Sequence, residues 1–142
     1  MKTERRYHDR RGTSAVEFAF IAPLFFLLVI GMIEFSRAMM VQQVLTTASR
    51  EGARMATLDS TNYSSDPSPT SLVVSAVDQC LAGANVNGST TTISPALPVG
   101  AGQDITVTVS VPYSSVTWIP SPWFLGGTTL TAVSVMRRET TQ

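Results

Sequence analysis

Hydrophobic and polar positions follow three different periods along the chain. From Phe18 to Ile33 the sequence FAFIAPLFFLLVIGMI carries no charge. With Ala15, Val16 and Glu17 this stretch makes about 28 Å of helix at 1.5 Å per residue. A bilayer hydrocarbon core is about 30 Å thick, so the pattern predicts a membrane span over about 15–34. The alternative is a helix buried in a soluble core, but such a helix would be the only strongly apolar element of a chain too small to enclose it. Within the span lie Phe18, Pro23, Leu27 and Gly31. Pro23 removes one backbone donor and predicts a kink. Gly31 offers close helix approach, but weakly, because it has no second glycine at GxxxG spacing.

Beyond the span the period becomes that of an amphipathic helix. Val41, Leu45, Ala48, Gly52 and Met55 are spaced by four and three, a stripe that must be covered by the chain's own domain or by neighbouring subunits. No proline occurs between Pro23 and Pro67, so one helix is expected over 13–58, half in the membrane and half amphipathic. Residues 59–71 are polar with two prolines and read as a linker. From Leu72 to Ala84, Leu72, Val73, Ala76, Val77, Cys80 and Leu81 share a face, with Pro69 and Ser71 as a start and Gly83 as a stop. The period then becomes two: Thr90 to Ile93 reads as an edge strand, and Asp104 to Tyr113 alternates Ile105, Val107, Val109 and Val111 with hydroxyl residues. A last strand, from Thr129, places Leu130, Ala132, Ser134 and Met136 on one side. The expected fold is therefore α+β: a long N-terminal helix, a short helix and a small antiparallel sheet, with 72–142 as a separate α+β domain.

Composition narrows the chemistry. Ten Lys and Arg balance ten Asp and Glu, so overall charge gives no reason to expect nucleic acid as a partner. The balance hides a polarity, because residues 1–12 hold five cations against two anions, and 13–142 hold five against eight. A basic head before an apolar run is a cytoplasmic-side signal. One cysteine excludes an internal disulfide, and Cys80 on an apolar face reads as a packed thiol. One histidine, His8, excludes a His-pair metal site and leaves no base for the usual triads, while Lys2 is the only lysine. No catalytic, metal or cofactor-binding residue is expected, and the chain is read as a non-enzyme.

Glu17 needs an explanation. A carboxylate in a membrane helix costs on the order of 2.5–3.5 kcal/mol near the bilayer centre and less at its edge. Either it reaches headgroups and water, or it pairs with a positive group in an assembly. Cleavage after Gly12 would create an ammonium at Thr13, four residues earlier. A buried charge pair is poor glue but fixes register well. Glu34 at the far edge of the span reads as an interfacial anchor. Glu34 with Arg37, and Glu51 with Arg54, stand at i, i+3 and favour helix. Arg50, Glu51 and Arg54 are either a solvated face or a candidate subunit contact. Trp118, Trp123 and Phe124 crowd one loop. They can close over the core, meet a partner, or dip into the outer leaflet; core or subunit contact is the expectation.

Arg10-Arg11-Gly12 followed by Thr13-Ser14-Ala15-Val16-Glu17-Phe18 resembles the class III signal of type IV prepilins. Over about residues 10 to 56, with Gly12, Glu17-Phe18, Pro23, Glu34, Arg37 and Ala48-Ser49-Arg50-Glu51-Gly52-Ala53-Arg54 in order, the chain is similar to the TadE family of the tight-adherence (Flp) pilus systems. Phe18 departs from the Tyr of many members of the wider Flp group, and both are aromatic. The resemblance implies removal of residues 1–12 by a prepilin peptidase between Gly12 and Thr13, with Glu17 and Phe18 setting assembly register. It also implies a single-pass bacterial inner-membrane protein with its N-terminus cytoplasmic, acting as a minor pilin or pseudopilin. The implied partners are the lipid bilayer, the peptidase, other pilin-like subunits and inner-membrane pilus assembly proteins. A second reading is an anchored extracytoplasmic binding module that does not assemble.

Overall fold

The computed structural model describes residues 11–58, 68–118 and 127–138. Residues 1–10 of the expected leader, most of the expected linker and the loop from Ile119 to Leu125 lie outside these described residues. The elements are two helices, α1 (Arg11–Thr57) and α2 (Pro69–Gly83), and three strands, β1 (Thr90–Ser94), β2 (Asp104–Pro112) and β3 (Thr129–Arg137). The α+β architecture is the one expected. The chain divides into two compact units, Met1–Phe35 and Ser36–Gln142.

In the first unit α1 runs through Pro23 without interruption. No residue from Gly12 to Ile33 is buried, and Phe18, Phe20, Leu24 and Leu27 are each at least two-thirds exposed. A helix in a soluble core would be covered by its own domain. This one is long and apolar enough to cross a membrane and is covered by nothing in the described residues.

The second unit is a helix pair packed on a sheet. Strand order is β1-β2-β3, antiparallel throughout. Central β2 buries Ile105, Val107, Val109 and Val111 completely, as period-two alternation requires, and each such side chain contributes about 1.5–3 kcal/mol. The opposite face pairs Thr92 with Thr108 and Thr108 with Val133, a surface of hydroxyls and exposed valines. In β3 Ala132 is buried and Leu130, Ser134 and Met136 are half-buried, on the side expected despite the polar Ser134. From α1 the stripe Val41, Leu45 and Ala48 is fully buried, joined by Gly52, Ala53 and Ala56. Ser49 is also fully buried, and its hydroxyl donates to the Thr46 carbonyl at 3.0 Å, so no polar group is stranded.

The ends of α2 fall where the sequence places them. The helix begins at Pro69, because Ser68 accepts from the Ser71 amide and Pro69 fits the first turn. Gly83 is the last helical residue, the stop expected, but the chain turns over two positions later. Asn85 takes the left-handed conformation (φ 53°). The Asn85 amide donates to the Ala82 carbonyl and the Val86 amide to the Leu81 carbonyl, both at 3.0 Å, with Val86 and Leu81 both buried. This is a Schellman closure with asparagine in the glycine place. Asn85→Gly is expected to be neutral or slightly stabilising, and Asn85→Val to lower stability by about 1–2 kcal/mol; thermal melts of the two variants check the sign.

Candidate functional site

The candidate site is the exposed N-terminal helix, built from the residues that head it. Gly12 and Thr13 lie in the first turn of α1, and Glu17 follows Thr13 by four residues, one helical turn or about 6 Å of rise. Glu17 and Phe18 are exposed, Phe18 at 69%. Residues three, four and seven positions after Glu17 on the same face are Phe20, Ile21 and Leu24, exposed at 80, 63 and 70%. A single carboxylate thus heads an apolar ridge. Nothing lies within 4 Å of a Cβ placed on Gly12 or Gly31, so both are open to a neighbour. The proline at position 23 leaves the Ala19 carbonyl without its usual i+4 amide donor.

The expected contact residues of the upper helix sit on its outer side. Arg54 donates to Glu51 through Nη2 at 2.7 Å and through Nε at 3.1 Å. The Arg54 hydrogen bond holds the Glu51 carboxyl below the usual carboxylate range, against a small opposing effect of burial. Both side chains are wet, so the pair shapes the surface and adds little stability. Arg50 is exposed on the same stretch. Cys80 is half-buried rather than fully packed, and it borders open grooves lined by Glu51, Met55 and Gln79 on one side and Met40, Gln43 and Thr47 on the other.

Several residues gain roles that the sequence did not assign. Arg37, expected beside Glu34 on the helix, reaches into the domain: its Nε donates to the Val116 carbonyl at 3.4 Å, and its guanidinium lies 5.9 Å from the centre of the Trp118 ring. Trp118 is 73% exposed, which leaves the core half of its expectation aside and keeps the contact-surface half open; its backbone follows the 3-10 turn Tyr113–Ser115 beyond the end of β2. Gln42 donates to the Thr131 carbonyl of β3 at 3.0 Å. Gly52 is the point of closest approach: a Cβ there would stand 2.7 Å from Val77 Cγ2 and 3.2 Å from Val107 Cγ1. The signal for it is readable in retrospect, since Ala48, Gly52 and Ala56 repeat a small residue every four positions.

Compared with known families, residues 12–54 match the family model described as TadE-like protein, the family whose motifs the sequence carries. The match ends within α1, at the Glu51–Arg54 pair. No curated protein and no solved structure matches the chain.

Proposed function

We propose that this chain, TadE-like over residues 12–54, is a pilin-related structural subunit held in a membrane by α1. It takes part in assembling a tight-adherence (Flp) type IV pilus as a minor pilin or pseudopilin, and does so after a prepilin peptidase removes residues 1–12. The observation that carries this reading is one of order on a single helix. Gly12, Glu17 and the uncharged run Phe18–Ile33 follow one another in α1, with the run exposed on every side. An apolar helix of this kind is stable in lipid, where its backbone groups are satisfied internally, and equally in a bundle of like helices. The basic residues 1–12 favour a cytoplasmic N-terminus, which puts the sheet domain on the other side of the bacterial inner membrane.

Pairing follows from the same order. The amine freed at Thr13 lies one turn from the carboxylate of its own Glu17. In a stack of offset copies, one subunit's Glu17 neutralises a neighbour's amine while Phe20, Ile21 and Leu24 pack around the pair. The test is the intact mass of membrane-extracted protein from cells with and without the peptidase. The expected product begins at Thr13 only when the peptidase is present, and Gly12→Asp leaves the full-length chain. A chain beginning at Met1 in both cells removes the processing step and favours a solitary anchored module.

A further inference from the structure

We infer that Arg37 and Trp118 form a collar that seats the domain in the headgroup layer of the leaflet it faces. The inference rests on the membrane reading of α1 but not on assembly into a filament. Arg37 lies four residues past Ile33, the end of the uncharged run, which is about 6 Å of helix rise. A span filling the hydrocarbon core therefore brings Arg37 to the depth of the lipid phosphates. Trp118 lies at about the same depth, because it stands beside Arg37: the guanidinium is 5.9 Å from the indole centre, and Nε reaches the Val116 carbonyl two residues earlier. A tryptophan that is 73% exposed would be wasteful in bulk water. At an interface its exposed ring lies among the upper acyl carbons and glycerol groups. The planar fork of a guanidinium matches the geometry of a phosphate. Met40 stands beside it, 3.7 Å from Nη1 through its sulfur, and is itself about half exposed, which extends the apolar side of the collar. The occupant these groups fit is the phospholipid headgroup zone.

The chain has two tryptophans, so Trp123→Phe leaves Trp118 as the sole indole. The full chain is reconstituted in vesicles of phosphatidylethanolamine and phosphatidylglycerol doped with phosphatidylcholine brominated either near the headgroup or near the chain ends. Flotation confirms anchoring before fluorescence is read. The expected result is that shallow bromines roughly halve Trp118 emission, deep bromines act far less, and aqueous iodide is only partly effective. Arg37→Ala weakens the shallow quenching, and Arg37→Lys, which keeps the charge, preserves most of it. Emission that shallow bromines leave unchanged overturns the collar; if iodide also fails to quench, the ring is covered by protein instead. Protein that does not float overturns the membrane reading together with the collar, whereas protein that floats without quenching overturns the collar alone.

Discussion

Glu17→Ala is expected to hold the chain in the membrane at least as firmly as before while removing it from assemblies. The two effects have opposite signs because the carboxylate plays opposite parts in the two states. Alone in lipid it is a cost, on the order of 2.5–3.5 kcal/mol at mid-bilayer and less near the edge where Glu17 lies, so its loss favours insertion. In a stack it is the only acid on the apolar ridge of Phe20, Ile21 and Leu24. Removing it leaves a neighbour's amine uncompensated, which costs about 3–5 kcal/mol, or more than a hundredfold in incorporation. Glu17→Gln is expected to behave like alanine, since it keeps the shape but loses the charge. Alkaline extraction reads membrane retention, and recovery in sheared filaments or cross-linked complexes reads incorporation. Equal recovery of wild type and Glu17→Ala would favour an anchored module that works alone.

The second large effect is at Gly52. An alanine there gains about 1 kcal/mol of helix propensity but places a methyl 2.7 Å from Val77 Cγ2 and 3.2 Å from Val107 Cγ1. Both valines are fully buried and stiff about χ1, so neither methyl can swing aside. Overpacking of this kind costs about 1–3 kcal/mol, and the net result for Gly52→Ala is a loss of up to about 2 kcal/mol. Gly52→Val, with two further carbons against the same wall, is expected to cost about 3 kcal/mol or more. Near-UV circular dichroism melts of the detergent-solubilised chain measure both. Val77→Ala opens a cavity by itself, yet combined with Gly52→Ala it restores part of the loss, and that non-additivity marks the contact. A Gly52→Ala chain that melts higher than wild type would mean that propensity outweighs the close approach.

The elements of this fold were legible where one period dominates. The uncharged run, the stripe from Val41 to Met55 and the alternation in β2 each bury or expose a whole face, so sequence alone distinguishes them. Even Ser134 did not disguise β3, because Leu130, Ala132 and Met136 keep its inward side. Illegible were the features set by a single backbone angle or by a long-range contact. Gly83 resembles a helix stop, but the left-handed residue is Asn85, two positions on; which residue turns over depends on where Val86 finds its place beside Leu81. Trp118 reads by size as either a core aromatic or a contact residue, and only its 73% exposure beside Arg37 decides against the core. Gly52 looked like a small member of a stripe until Val77 and Val107 were seen from both sides. For the candidate site, the order of Gly12, Glu17 and the apolar run was visible from the start, because adjacency on a helix is a property of spacing. The Glu51–Arg54 pair was visible for the same reason.

The double use of α1 also fixes when the domain can form. Translation supplies the buried stripe from Val41 to Ala56 early and the strand that closes over it last. Gln42 meets the Thr131 carbonyl 89 residues later, and Arg37 meets Val116 79 residues later. Contacts so distant in sequence form slowly, since the intervening chain must be delivered and its loop closed first. During that interval the outer half of the helix shows bare apolar side chains to its surroundings. The nascent chain thus passes through a period of adhesiveness that the folded chain lacks, and its length is set by the time needed to supply residues up to β3.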